Sequence, residues 1–516
     1  MPRFTKIESA NGNGKSKLLA TQQSMNSVIW AICNIMRRSN CASALQYVPE
    51  LTWLLFLRIL DEREEGEADE ADAVGATYVP SLQAPYRWCN WAAPGGEKRI
   101  ELEQGALNAF LGFVNNDLLP HLKSLGERPN ATPRQKVISE TLSGVDHVRV
   151  DTERNFLDIL DKLDQIRINA IDQTHMFTLS QVYEGLLLKM GEKNNDGGQF
   201  FTPREVIRTV VQVIEPRVGE TIYDPCCGTG GFLAQAYDYV VPQAATAEQV
   251  ESLKQRTFYG REKENLIYPI ALANLVLHGI DYPHIWHGNT LTGGETYGGL
   301  FTGAPPLFDV ILTNPPFGGK EGPEAQTNFA YKTGATQVLF VQHVINALKP
   351  GGRCGIVLDE GVLFRTNESG FVGTKRRLLD ECDVWCIVSL PPNVFAAAGG
   401  GVKTNLLFFT RGKPTANVWY YDLTHIKVMK TSPLTMAHFD EFFQLLPTRA
   451  SSDRSWTVPI ADIKARNYDL KAVNPTAKAA GDTRTPEELL DIIEAHGRDI
   501  AESLATLRAL RPQAPK

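Results

Sequence analysis

No apolar run in this 516-residue chain is long enough to cross a bilayer, which takes about 20 residues. The opening residues, MPRFTKIESANGNGKSKLL, contain no apolar stretch. That excludes a secretory signal and predicts a cytoplasmic address with no membrane association. Cysteine is sparse: eight residues, scattered, with no CxxC pair, and Cys382 and Cys386 lack histidines at metal-ligand spacing. They are expected to be reduced thiols, most of them buried. The ten histidines form no HxxxH or HExxH pair, so no metal site is expected. An excess of positive charge is also missing, because 52 Lys and Arg stand against 59 Asp and Glu, a net charge of −7. A chain that gripped nucleic acid alone would usually be basic. Phosphate contact therefore falls to a local groove or to a partner. The segment NGNGKS lacks the first glycine of GxxxxGK[ST] and has no strand before it, which excludes a phosphate loop. There is no repeat of solenoid length and no nuclease or helicase signature.

What is there is the composition of an ordinary globular protein, 43% hydrophobic and 22% charged. The length asks for two or three domains. Residues 1–20 read as a loose polar N-terminus, and 21–170 as a helical domain. Val28, Ile29, Ile32 and Ile35, then Leu51, Leu54, Leu55 and Ile59, recur near helical spacing. The acidic run DEREEGEADEADAVG (61–75) reads as a solvated helix end and loop. From about residue 197 the texture changes. TIYDP, TFYGRE, HIWHGN, FDVILTNPPF, RCGIVL, VWCIVSLP and TNLLFFTRG alternate with helical stretches. Several are apolar throughout, as strands covered on both faces should be. This predicts an α/β domain over 171–425, with a doubly wound, mostly parallel, Rossmann-like sheet. VWCIVSLP and NLLFF lie close enough to form an antiparallel hairpin at its edge. An extension (426–471) and a linker (472–485) follow. A C-terminal helix (486–516) then starts at Thr485-Pro486-Glu487-Glu488. Its Leu490, Ile493, Ile500, Leu504 and Leu507 form one apolar seam.

Three motifs carry chemistry. Asp224-Pro225-Cys226-Cys227-Gly228-Thr229-Gly230-Gly231 lies between a strand and a helix. A glycine-rich turn there admits a ligand close to the backbone at the carboxyl edge of a parallel sheet. It departs from GxGxxG, and the aspartate suits a ligand bearing an ammonium group. Glu262 ends the next strand, where an acidic residue binds ribose hydroxyls. Asn314-Pro315-Pro316-Phe317 follows FDVILT. The Asn314 side-chain oxygen and the Pro315 carbonyl are two acceptors suited to the N6 amine of adenine, whose lone pair is delocalised into the ring. Holding both N–H groups turns that nitrogen toward tetrahedral geometry. The prolines fix the backbone and free carbonyls from the sheet ladder. Phe317 offers a face to an extruded base. Pro225-Cys226 sits inside the ligand loop, where no base reaches it, so a cysteine nucleophile acting on cytosine C5 is discounted.

In order, Gly198-Gln199-Phe200-Phe201-Thr202-Pro203-Arg204, DPCCGTGGF, YGRE and NPPF resemble the motifs of amino-DNA methyltransferases in the γ-type arrangement. LTWLLFLRILDE, QVYEGLL, GVKTNLLFFTRG and ARNYDLKAVNP narrow the resemblance to the methyltransferase (M) subunits of type I restriction-modification systems, over roughly residues 25–475. The resemblance implies N6-adenine methylation of double-stranded DNA with S-adenosylmethionine. By it, Gln199, Phe200, Phe201, Thr202, Pro203 and Arg204 close over the methionine end of the cofactor. Asp224, Gly228, Thr229, Gly230 and Gly231 form the methionine-side loop, and Glu262 is the ribose ligand. Phe395 of PPNVF is a second aromatic contact to the flipped base. Asn289 stands where the family usually has an aspartate that accepts from the cofactor adenine. Only about a hundred residues follow TNLLFFTRG, and no target-recognition domain is visible. The family picture supplies a separate specificity subunit, with two M subunits per specificity subunit and a motor-nuclease subunit for restriction. The rivals are a protein-glutamine methyltransferase, which usually has tyrosine in place of Phe317 and a much shorter chain, and a scaffold subunit without catalysis. The loop GGKEGPEAQTNFAYKTGATQ after the motif reads as a lid or simply a long loop.

Overall fold

A computed structural model describes residues 22–166, 202–292, 299–395, 402–429, 432–471, 473–475 and 486–509. The expected polar terminus 1–20 lies outside them, as do Gln199, Phe200 and Phe201 and most of the 472–485 linker. No helix among the described residues is long and apolar enough to cross a membrane.

Nine strands form one sheet: β1 (Ile222–Asp224), β2 (Phe258–Glu262), β3 (His284–His287), β4 (Phe308–Thr313), β5 (Leu348–Asp359), β6 (Cys382–Ser389), β7 (Thr404–Arg411), β8 (Asn417–Asp422) and β9 (Ser455–Pro459). Their order is β3-β2-β1-β4-β5-β7-β6-β8-β9. The run from β3 to β5 is parallel throughout. β7 enters antiparallel between β5 and β6, and β9 closes one edge antiparallel to β8. All seven strands expected from apolar runs are present. The expected antiparallel pair β6–β7 forms, but inside the sheet and not at its edge. β7 is fully buried over its first six residues, so it needs cover on both sides, which β8 and β9 extend.

Strand order reverses between β1 and β4, where β1 has β2 on one side and β4 on the other. In an open α/β sheet the crevice for ligands opens at such a point, beyond the carboxyl ends of the strands. The helix Arg204–Ile214 buries Val206, Ile207, Val210, Val211, Val213 and Ile214 against this sheet. A Cβ on Gly355 of β5 would stand 2.5 Å from Val210 Cγ1. The missing side chain lets the helix lie directly on the strand.

The N-terminal region is helical, as expected, with helices from Gln22–Arg38 to Glu153–Asp164. Its core continues into that of the sheet domain through the helix Tyr268–Leu277. The acidic run is a solvated helix end and turn in its later part, as expected, but its first residues depart from that reading. Residues 61–73 continue the helix Ala44–Ala73, and Asp61, Glu62 and Glu64 are buried. Arg87 pairs with Asp61 at 2.9 Å, Arg58 with Glu62 at 3.0 Å and Arg134 with Glu67 at 2.7 Å. Asp281, beyond the Tyr268–Leu277 helix, accepts from both Arg63 (2.7 Å) and Arg134 (3.0 Å). All eight cysteines are free, and Cys89 is the exposed one.

Candidate active site

Three strand ends meet at the crevice. Asp224 is the last residue of β1, Glu262 the last of β2, and Asn314 directly follows β4. Asp224 is 1% exposed. Its Oδ1 accepts from Thr313 Oγ1 at 2.7 Å and from the Cys226 N–H at 3.1 Å. Burial pushes its carboxyl up to about 7; the bonds from Thr313 and Cys226 oppose the rise, and the nearby Glu262 adds to it. Glu262 accepts from the N–H groups of Gly228 (2.9 Å) and Glu264 (2.8 Å). Burial also raises it to about 7, against those backbone donors. Among the described residues neither carboxylate pairs with a basic side chain. Buried carboxylates without a counterion are costly to ionise, so the place suits a ligand that brings a positive charge and hydroxyl donors.

Between these ends lies a cavity of about 240 Å³ lined by Thr202, Asp224, Gly228, Glu262, Asn289, Asn314 and Pro316, among others. The Asn314 amide has a fixed orientation, with Nδ2 donating to Thr202 Oγ1 at 2.9 Å. Its Oδ1 is buried and, among the described residues, has no hydrogen-bond partner. An unsatisfied buried acceptor is expensive, and here it sits beside a cavity. The Pro315 carbonyl accepts from Gln337 Nε2 at 3.0 Å.

The structure brings together Thr202, Asp224, Gly228, Thr229, Gly231, Glu262, Asn289, Asn314 and Pro316 around the cavity. Gly230 does not line it. Its φ is +80°, and a Cβ there would meet Leu275 Cγ at 3.0 Å, so backbone shape and helix packing require this glycine. Pro203 is the N-cap of the helix that Arg204 begins, and neither lines the cavity. Asn289 Oδ1 accepts from the Leu291 N–H at 2.9 Å, which leaves one lone pair of that oxygen for a ligand. Phe317 and Phe395 meet edge to face, ring centroids 5.3 Å apart. The sequence reading missed Thr313, Lys263, Ile207, Phe340 and Gln337. Thr313 was findable, being a polar residue at the end of an apolar strand.

Residues 174–483 match the N-6 DNA Methylase family model, and residues 25–143 the HsdM N-terminal domain. The type I restriction enzyme EcoEI methylase subunit of Escherichia coli is 35% identical over 506 residues, 94% of this chain and 97% of that one. A solved modification subunit, assigned to a type I restriction enzyme of Vibrio vulnificus YJ016, is 32% identical with a TM-score of 0.79. It covers 90% of this chain and 99% of its own. A chain from a study of complex assembly and conformational transition in the type I R-M system is 36% identical with a TM-score of 0.72, over 95% and 99% of the two chains. The fold and the family are those of an adenine-specific DNA methyltransferase. Within that class, the chain belongs to the methyltransferase subunits of type I restriction-modification systems.

Proposed function

We propose that this chain methylates the N6 of an adenine extruded from double-stranded DNA, with S-adenosylmethionine as donor, at sites chosen by a separate specificity subunit. The observation that carries the reading is the buried Asn314 Oδ1 beside the cavity, unpartnered among the described residues. Two uncompensated carboxylates support the cofactor: Asp224 fits its ammonium group and Glu262 its ribose hydroxyls. Asn289 offers its remaining lone pair to the adenine amine. Thr202, Gly228, Thr229 and Gly231 complete the cradle, with Gly230 shaping the turn; Gln199, Phe200 and Phe201, and Pro203 and Arg204 at the helix start that follows, belong to the same segment by family resemblance.

The cofactor supplies a methyl group on a sulfonium centre. The chain's own contribution is positioning. Asn314 Oδ1 accepts one N6–H and the Pro315 carbonyl the other, which turns the nitrogen lone pair out of the ring plane. Thr202 keeps the Asn314 oxygen aimed, and Pro316 holds the backbone. Phe317, with Phe395 against its edge, stacks on the base. Extrusion is required because N6 lies inside the duplex. No covalent link between enzyme and base is needed.

The domain division is proposed as read: helices over 21–170, the transferase over 171–425, an extension to 471, and a C-terminal helix. That helix, Pro486–Ala509, exposes Leu490, Ile493, Ile500 and Leu504. We assign it to contact with the specificity subunit, two methyltransferase chains to one, with the motor-nuclease subunit joining for restriction. The test is transfer of radiolabelled methyl to DNA by the chain alone, by the chain with its specificity subunit, and by Asn314→Ala. Label on adenine N6 only with the specificity subunit, and lost in the variant, is the expected result. Cofactor binding without DNA labelling in either preparation overturns the DNA assignment and points to a protein substrate.

A further inference from the structure

We infer that Gln337 is a positioning residue for methyl transfer, acting through the Pro315 carbonyl. The inference rests on the reading that this carbonyl accepts an N–H of the target amine.

Gln337 lies in the first turn of the helix Thr336–Ala347, almost every residue of which is buried. It is 3% exposed. A polar side chain so placed must satisfy both ends of its amide, and it does so on two different strand ends. Nε2 donates to the Pro315 carbonyl at 3.0 Å, just beyond β4. Oε1 accepts from the Asp359 N–H at 3.1 Å, the last residue of β5. One side chain thereby ties the two strand ends that flank the catalytic turn.

The tie matters because of the two prolines. The peptide joining Pro315 to Pro316 has a carbonyl but no N–H, so no backbone donor on its own peptide fixes that plane to the ladder. Gln337 supplies the restraint from outside. A carbonyl oxygen has two lone pairs. Gln337 takes one, and the other is left for the adenine amine. Without the tie the acceptor loses its aim, and small errors of aim at a reacting nitrogen are costly in rate.

The test uses the full chain with its specificity subunit, saturating S-adenosylmethionine and cognate DNA, and single-turnover methyl transfer. Gln337→Leu keeps similar bulk and loses both bonds. Measured well below the unfolding midpoint, which the two stranded polar groups should lower, its rate should fall roughly 10- to 100-fold at every pH, with cofactor affinity close to wild type. Gln337→Glu is the sharper variant. Its ionised carboxylate offers only acceptors and repels the Pro315 oxygen. Its protonated form restores one donor and one acceptor. Its rate relative to wild type should therefore climb as pH falls. The charged groups nearest are Asp359, whose carboxylate accepts from the Val362 N–H at 3.1 Å, and Glu321, which accepts from Thr336 Oγ1 at 3.1 Å. Both are present in wild type and cancel in the ratio. Variants as fast as wild type overturn the inference, as does a loss of rate that merely follows lost cofactor affinity. A wild-type chain that transfers no methyl to DNA overturns the functional reading itself and this inference with it. An active wild type with indifferent variants overturns this inference alone.

Discussion

Asn314 donates its amide N–H to Thr202 Oγ1 at 2.9 Å, a bond across 112 positions of sequence. It joins the segment ahead of the glycine-rich turn to the catalytic turn. It also fixes which atom of the amide is left without a partner among the described residues. Thr202→Val keeps the shape and removes the acceptor. Methyl transfer at saturating cofactor should slow about tenfold or more, and Thr202→Ser should recover most of it. Equal rates for Val and Thr would show that the amide is aimed by something else.

If the proposed cofactor roles of Asp224 and Glu262 hold, cofactor binding should depend on pH. With Asp224 and Glu262 each raised to about 7, binding that needs their ionised forms weakens as pH falls through 7. At pH 6 it should release protons, read by calorimetry in buffers of different ionisation enthalpy. The stability sign of the cofactor-free chain is opposite to that of an ordinary salt-bridged acid. A raised carboxyl binds protons more tightly folded than unfolded, so its contribution is full below the unfolded value and is lost as pH rises to about 7. Asp224→Asn should therefore gain thermal midpoint over wild type as pH climbs from 5.5 to 7.5, while losing cofactor affinity.

Asn289→Asp introduces a charge where the family resemblance leads to the expectation of an aspartate. The bond from the Leu291 N–H survives the exchange. A charged acceptor makes a stronger hydrogen bond, so cofactor affinity should rise roughly 3- to 10-fold at pH 8. Unchanged or weaker binding would mean that the Asn289 oxygen does not meet the cofactor.

Gly230→Ala separates structure from ligand contact. At φ +80°, with Leu275 3.0 Å from the new Cβ, the substitution should cost about 1–3 kcal/mol. A lowered unfolding midpoint in denaturant would record it. The folded fraction should bind cofactor as wild type does, since Gly230 does not line the cavity.

The C-terminal helix is tested by changing its exposed apolar side chains together. Leu490, Ile493, Ile500 and Leu504 replaced by glutamine should abolish co-elution with the specificity subunit in gel filtration. Cofactor affinity of the isolated chain should stay the same. A complex that survives this exchange would move the subunit contact elsewhere.

The sheet was largely legible because most of its strands are covered on both faces and read as unbroken apolar runs. β8 and β9 escaped. β9 is short, and its residues alternate with no strong period because an edge strand needs little cover. The site was legible wherever the backbone is unusual, as at the two prolines and the glycine-rich turn. Gln337 was not, since nothing near it in sequence marks a partner 22 positions away. The first residues of the acidic run, Asp61, Glu62 and Glu64, were misread as solvated for the same reason. Arg87 and Arg134, which neutralise Asp61 and Glu67, come from later in the chain. Charge counting along a window does not see them.

Asp281 has a consequence for how the molecule comes apart. Its carboxylate is shared by two arginines of the helical region, and the apolar core runs on beneath it. Separating the layers would strand the Asp281 carboxylate, leave Arg63 and Arg134 with only the glutamates of their own region, and wet a common interior at once. Heating should therefore melt both layers in a single calorimetric event, with no half-open species accumulating.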